Sequence, residues 1–291
     1  MSSKIDVLLV NPWGTEQDGY TNPPLGLLYL AGTLLKHNFT VDVVDCCVDG
    51  EDALRQKLVL LHPKIVGVTC LTPARHRALE VAEQVKMFDR NIQVVFGGAH
   101  STIMHRQLLE NYSFIDCVVL GEGEYTFLEI VEGRAFCDIN GLAYRGSVGV
   151  VVTTSARQYV KNLDDLAFPA WHLIDFSKYP AIGEGVVNGV DLAVEPRVSV
   201  VFSRGCVGHC NFCSTWWIWR GYRHRSALNM VDELELLYLR GVRSFCFADD
   251  AFTVNQTEVM WVCDEILRRG LKIAFHVTTR VDCVSEEFLQ N

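Results

Sequence analysis

The chain has 291 residues, 49% hydrophobic and 21% charged, with a net charge of -9 and a sequence pI of about 5.5. An acidic chain gains nothing from phosphate backbones, which argues against general nucleic-acid binding. No apolar run reaches the ~18 residues of a membrane helix, and the N-terminal "MSSKIDVLLVNPW" reads as a strand without a signal-peptide cleavage site. Eleven cysteines is an odd count, and Cys70, Cys117 and Cys246 lie in apolar strands. They read as free thiols in a reducing compartment, so the cytoplasm is the expected location.

Taken in order, the first 140 residues alternate short β-branched runs with helical patterns. Strands are expected at 5–12, 41–45, 65–70, 92–98 and 115–123, and helices at 25–37, 51–61, 76–89, 102–111 and 125–132. Nearly continuous apolar strands interleaved with helices predict a five-stranded parallel sheet covered on both faces. Ligands of such doubly wound, Rossmann-like α/β sheets sit beyond the carboxyl ends of the strands. Those ends carry a long glycine-rich loop after the first strand, "TCLT" after the third, "GGAHST" after the fourth and "GEGE" after the fifth. One such turn is unremarkable. Three on one edge predict a binding edge, because glycine lets backbone approach a ligand.

A hairpin-like segment, "NGLAYRGSVGVVVTT", comes next, and residues 163–185 read as a linker rich in Pro, aromatic and acidic residues. The expected organisation is a first domain over 1–140, hairpin and linker over 141–195, and a second domain over 196–291. From Val198 the pattern is strand, helix, strand, helix, strand and the start of a helix. Gly241 and Gly270 close two helices, and Asn255 opens one with Glu258 three residues on. At roughly 30 residues per βα unit, this is three units, the first half of a (β/α) TIM-type barrel. Three units cannot close a barrel, so the expectation is that either the sequence is a fragment or the remainder is supplied elsewhere.

The first strand of this second domain runs into "SRGCVGHCNFCSTW", which places Cys206, Cys210 and Cys213 within eight residues. Structural zinc wants four protein ligands, and no second pair follows; His209 would have to bend back within a very short loop. A disulfide leaves one thiol over and suits the wrong compartment. An iron–sulfur cluster fits better: three thiolates on a four-iron cluster leave one iron with an open position.

The spacing Cys206, Cys210, Phe212, Cys213 after a first strand resembles the radical S-adenosylmethionine superfamily. The resemblance implies a 4Fe-4S cluster on the three cysteines, whose open iron binds S-adenosylmethionine. One electron then cleaves the sulfonium to a 5′-deoxyadenosyl radical. It also implies S-adenosylmethionine contacts from Phe212, from Ala248, Asp249 and Asp250 at the end of the second strand, and from Arg280 after the third. The acidic pair departs from the family's usual Gly-Gly-Glu-like stretch. With its doubly wound first domain, "PPLGLLYLAGTL" and "GGAH", the whole chain is similar to the cobalamin-dependent members. This implies cobalamin contacts from the loop after strand one, from Thr69, Leu71 and Thr72, from Gly97, Gly98, His100 and Ser101, and from Gly121, Glu122 and Gly123. The cobalt-ligating D-x-H-x-x-G motif is missing: "DCCVDG" at 45–50 has Cys47 in place of His, so the resemblance implies cobalt without a His ligand, with His100 the nearest alternative.

Two activities follow from the resemblance. One is methylation of an unactivated carbon of a small-molecule substrate. The other is oxidation or ring closure, as in the anaerobic cyclases of magnesium-porphyrin esters. Both imply a low-potential electron donor of flavodoxin or ferredoxin type. The rival reading is a non-catalytic corrinoid- or cluster-binding fragment. Trp216, Trp217 and Trp219 are expected either as core or as a shield for the cluster, and Arg220, Arg223 and Arg225 as solvated or surface-paired. His172, His224 and His276 receive no role.

Overall fold

A computed structural model describes residues 4–12, 22–50 and 52–290. The chain divides into two units: 1–160 with 167–174, and 161–166 with 175–291.

In the first unit the elements follow as β1 (Val7–Asn11), α1 (Leu25–Lys36), β2 (Val41–Asp45), a short α2 (Cys46–Asp49), α3 (Ala53–Leu61), β3 (Ile65–Thr69), α4 (Arg75–Phe88), β4 (Gln93–Gly97), α5 (Ala99–Asn111), β5 (Cys117–Val119) and α6 (Glu124–Val131). Two antiparallel strands, β6 (Leu142–Arg145) and β7 (Val151–Thr153), complete it. The sheet order is β2-β1-β3-β4-β5-β6-β7, with β1 to β5 parallel. The hairpin expected after the first domain therefore extends the same sheet, through antiparallel pairing of β6 with β5. Val7, Leu8, Leu9 and Val10 are all fully buried, as a strand covered on both faces requires. Strand order reverses between β1 and β3, which opens a crevice at the carboxyl edge there. Residues 13–21 of the loop after β1, expected to contact cobalamin, lie outside the described residues.

The second unit contains a small ribbon of β8 (Val186–Val187) and β9 (Val190–Asp191), then β10 (Arg197–Val200), β11 (Ser203–Arg204), α7 (Thr215–Ile218), β12 (Arg223–His224) and α8 (Ala227–Leu239). It continues with β13 (Ser244–Phe247), α9 (Gln256–Arg268), β14 (Ala274–His276) and α10 (Glu286–Gln290). Strands β10, β13 and β14 lie side by side and parallel, which is three βα units in sequence order. Val198, Val200, Phe245 and Phe247 are buried and alternate with Ser199 and Cys246, the period-two pattern of a strand with one apolar face. Asn255 Oδ1 accepts the Glu258 N–H at 3.2 Å, the expected cap of α9.

Two features depart from the sequence reading. The strand expected to run continuously from Val198 to the thiols stops at Val200. Residues 203–204 pair instead with 223–224 in an antiparallel ribbon. Arg225 is buried rather than solvated. It is 3% exposed and forms an ion pair with Glu233, which is fully buried. It also donates to the Val201 carbonyl at 3.1 Å and to Asn229 Oδ1 at 2.6 Å. This buried pair ties the start of α8 to the end of β10. Removing one charge strands the other in the interior, so Glu233→Gln is expected to destabilise the second unit by about 3 kcal/mol or more. Urea unfolding followed by tryptophan fluorescence checks this, and a loss below about 1 kcal/mol would be inconsistent with a buried pair.

Candidate functional site

In the first unit, three βα junctions meet along the carboxyl edge. Thr69 of β3 is the register partner of Gly97 of β4, and the Cys70 N–H donates to the Gly97 carbonyl at 2.8 Å. Gly98 has φ +94°, and a Cβ there would stand 3.1 Å from the Cys70 carbonyl oxygen and 3.2 Å from Thr69 Oγ1. Only glycine lets the β4–α5 turn lie against the end of β3 in this way. The His100 N–H then donates to the Cys70 carbonyl at 3.2 Å, and His100 Nδ1 lies 3.1 Å from Thr72 Oγ1. Thr102, which the sequence reading did not single out, joins the third junction. Its hydroxyl donates to the Gly98 carbonyl at 3.0 Å and accepts the Gly121 N–H at 3.1 Å.

The expected cobalamin residues separate into two groups. Leu71 and Thr72 are exposed, and the front of Gly97 and Gly121 is open: a Cβ at Gly121 would meet nothing within 4 Å, and one at Gly97 only Val119 Cβ at 4.0 Å. Gly123, by contrast, already packs, its Cβ position 3.3 Å from Leu30. Ser101 and Glu122 face inward. Ser101 is fully buried, and burial pushes the Cys70 thiol up to about 11. Glu122 is buried and accepts the Val160 N–H at 2.9 Å. Burial, with Arg75 nearby, lowers the His100 pKa below its ordinary value, so the imidazole is neutral at pH 7. Cys47 is exposed at the end of β2, and its thiol donates to the Pro12 carbonyl at 3.4 Å.

In the second unit, the thiol loop is held at several points. The Asp249 carboxylate, 4% exposed, accepts the Phe202 N–H at 3.1 Å and both the N–H and the hydroxyl of Ser203 at 2.5 Å. Those are N–H groups that a longer β10 would have offered to a neighbouring strand, which is why β10 ends at Val200. Gly205, with φ +84°, passes so close to the opposite arm that a Cβ would lie 1.8 Å from the Gly221 carbonyl oxygen. Beyond it, the Gly208 N–H donates to Cys206 Sγ at 3.3 Å, the Cys213 N–H to the Cys210 carbonyl at 3.0 Å, and Arg280 Nη1 to Cys210 Sγ at 3.7 Å. Thr215 donates to Asp250 at 3.1 Å on the far side of the loop.

Cys206, Cys210 and Cys213 are all partly exposed and free of disulfides. Among the described residues, no three His, Cys, Asp or Glu side chains gather as ligands of a single ion. Thiolates of a four-iron cluster bind different irons, so they do not meet at one point. Phe212 is 93% exposed, and Ala248 and Asp250 are also exposed. Of the tryptophans after the loop, Trp217 is exposed, with its ring tilted against that of the half-buried Trp216 at 4.2 Å, Trp219 is half-buried, and Ile218 is the buried residue of α7. His224 has both ring nitrogens engaged, by the Arg225 carbonyl at 2.9 Å and Asn255 Nδ2 at 3.0 Å.

These features define a class: a doubly wound ligand-binding unit and a β/α unit built around a three-thiol loop, in one chain. The B12 binding domain family matches residues 15–131. An anaerobic magnesium-protoporphyrin IX monomethyl ester cyclase from Rubrivivax gelatinosus is 35% identical over 92% of this chain and 48% of its own length. An uncharacterised methyltransferase from Pyrococcus horikoshii is 33% identical over 92% of this chain and 58% of its own. Among solved structures, the radical S-adenosylmethionine methyltransferase TsrM from Kitasatospora setae, with cobalamin and a [4Fe-4S] cluster bound, superimposes with a TM-score of 0.76 at 23% identity. It is matched over 99% of this chain and 56% of its own length. The cobalamin-dependent S-adenosylmethionine radical enzyme OxsB gives 0.78 at 19% identity, over 97% and 40%. The structural likenesses establish the fold. Residues 15–131 carry a B12 binding domain, and the chain spans about half the length of the curated relatives it matches. Among the described residues, no helix is long and apolar enough to cross a membrane.

Asp249 also sets a pH dependence. Burial is the largest cause raising its pKa from 3.8 to about 6, against the hydrogen bonds from Ser203 and Phe202. The folded-state value lies above the unfolded one, so the folded protein holds an extra proton between about pH 4 and pH 6. Stability from this group is therefore full below pH 4 and falls as pH rises through 6, by roughly 3 kcal/mol at ~1.4 kcal/mol per unit. In the iron-free protein, wild type is expected to lose this much relative to the Asp249→Asn variant between pH 4 and pH 7, as read by urea unfolding at each pH. A difference that stays flat across that window would show that Asp249 is not desolvated.

Proposed function

We propose that the chain carries the cobalamin- and cluster-binding parts of a radical S-adenosylmethionine enzyme that acts on an unactivated carbon of a small molecule. The carrying observation is the thiol loop. It holds three soft donors and no fourth, and two of their sulfurs already accept N–H donors. This donor set fits a cluster with one open iron. The first unit's edge supports the corrin assignment. Gly97 and Gly121 leave room for a flat ring, Leu71 offers apolar contact, and Thr69, Thr72 and the neutral His100 offer polar groups to its amide side chains. When bound, the reduced cluster supplies the electron that breaks S-adenosylmethionine, and the corrin supplies a methyl carrier or redox partner.

Cys206, Cys210 and Cys213 hold the cluster. The exposed Phe212 and Ala248 meet S-adenosylmethionine, as does the exposed Asp250, one oxygen of which already accepts from Thr215. Asp249 is assigned to holding the loop, since its oxygens are committed to Phe202 and Ser203. Ser101 and Glu122 act on the corrin only by shaping the edge, because their side chains face the protein. The eleven free thiols suit a reducing, cytoplasmic setting with a flavodoxin- or ferredoxin-type donor. Relatives named as cyclases and as methyltransferases support ring closure and methyl transfer equally. Transfer of a deuterated methyl group from S-adenosylmethionine to product marks methylation, and unlabelled product marks ring closure.

Anaerobic iron and sulfide loading is expected to give about four irons per chain, and serine at Cys206, Cys210 or Cys213 to bring that below one. Release of 5′-deoxyadenosine on reduction then reports cofactor cleavage. Iron content unchanged by the serine substitutions would remove the cluster, and iron without 5′-deoxyadenosine would leave a binding fragment. For the corrin, Gly97→Leu fills the open edge and is expected to weaken cobalamin binding at least tenfold in an absorption titration, with circular dichroism unchanged. Equal binding by that variant would move the corrin elsewhere.

A further inference from the structure

Arg280 follows β14, in a segment pinned by backbone and side-chain bonds: the Phe252 N–H donates to the Thr278 carbonyl at 3.1 Å, and Thr253 and Thr279 share a hydroxyl bond of 2.6 Å. Its guanidinium is divided between two partners. Nε and Nη2 form a two-pronged bond with the Asp282 carboxylate, at 2.9 and 2.6 Å. That fork fixes the plane of the group and leaves Nη1 directed at Cys210 Sγ, 3.7 Å away. Gly208 makes the approach possible. A Cβ at that position would stand 2.3 Å from Arg280 Nη1, and the backbone at Gly208 needs no positive φ. The arginine is thus held against the sulfur by an acid behind it and by a gap in the loop in front of it.

We infer that Arg280, aimed by Asp282 and admitted by Gly208, sets the reduction potential of the cluster through Cys210. The inference rests on the cluster assignment above. It differs from the sequence expectation that Arg280 waits for the carboxylate of S-adenosylmethionine. Hydrogen bonds and charge at cluster sulfurs tune the potential, and outer partners that orient a ligand tune it in the same way. Reduction adds one electron, supplied by the external donor, and so one negative charge. A guanidinium at the sulfur favours the more negative state and raises the potential. Asp282 opposes this by neutralising part of that charge. Arg280 is a positioning residue in this sense: it acts on the iron through a ligand.

The test is a potentiometric titration of the iron-loaded protein, followed by its visible absorption. Arg280→Gln and Gly208→Ala are expected to move the potential to more negative values at unchanged iron content, the second by expelling the guanidinium. Asp282→Asn is expected to move it the opposite way, because the Asn amide oxygen still accepts from the guanidinium and keeps it in place while the counter-charge goes. A purely structural role gives no such reversal of sign. Equal potentials in wild type and Arg280→Gln, or a shift of Asp282→Asn in the same direction as Arg280→Gln, overturn the inference and leave the cluster assignment standing. A wild-type protein that takes up no iron overturns both. The three variants are read independently, so one that fails to load iron leaves the sign of the others to decide.

Discussion

A single buried carboxylate organises the second unit. Asp249 sits at the end of β13 and takes the N–H groups of Phe202 and Ser203. Once those donors are spent, β10 has no means of extending along the sheet. The chain leaves in a new direction, pairs with residues 223–224, and delivers the thiols on a loop rather than on a strand. The desolvation that raises the Asp249 pKa is the cost of this arrangement, and the hydrogen bonds offset part of it. The tight crossing of Gly205 and Gly221 depends on the same turn. So does the position of Cys206, three residues beyond Ser203.

The first unit's edge also holds a buried carboxylate, Glu122, which accepts the Val160 N–H. There the junctions after β3, β4 and β5 are joined by backbone and hydroxyl bonds through Cys70, Gly98 and Thr102. An uncharged ring-like ligand needs surface and room more than a fixed field. An edge of glycines and short polar side chains provides both.

Much of this was legible in the sequence. Apolar runs and helical periods placed β1 to β5 and their helices within a few residues. The gaps between Cys206, Cys210 and Cys213 named the loop before any geometry was known. Asn255 and the glycines at 241 and 270 marked helix ends, and both glycines have positive φ. The rest was hidden because it depends on partners distant in sequence. Nothing local says that Asp249 bonds residue 202, that Glu122 bonds residue 160, or that Arg225 is buried with Glu233. A charged residue read from a sequence looks solvated until the fold supplies its counter-charge. The end of β10 shows the same limit. The run from Val198 to Phe202 is a good strand, and only the carboxylate from β13 stops it.

The acidic pair at 249–250 departs from the family's usual stretch, and the geometry gives it a reason. Side chains of consecutive residues at a strand end point to opposite sides. Asp249 turns inward and binds the start of the thiol loop at Phe202 and Ser203; Asp250 turns outward and binds its end at Thr215. A glycine pair in the same place would offer no side chain to either arm. The loop would then depend on the Gly205–Gly221 crossing and on Arg280 alone. With two carboxylates, both arms are fastened to one strand end, and the three sulfurs lie between the fastenings.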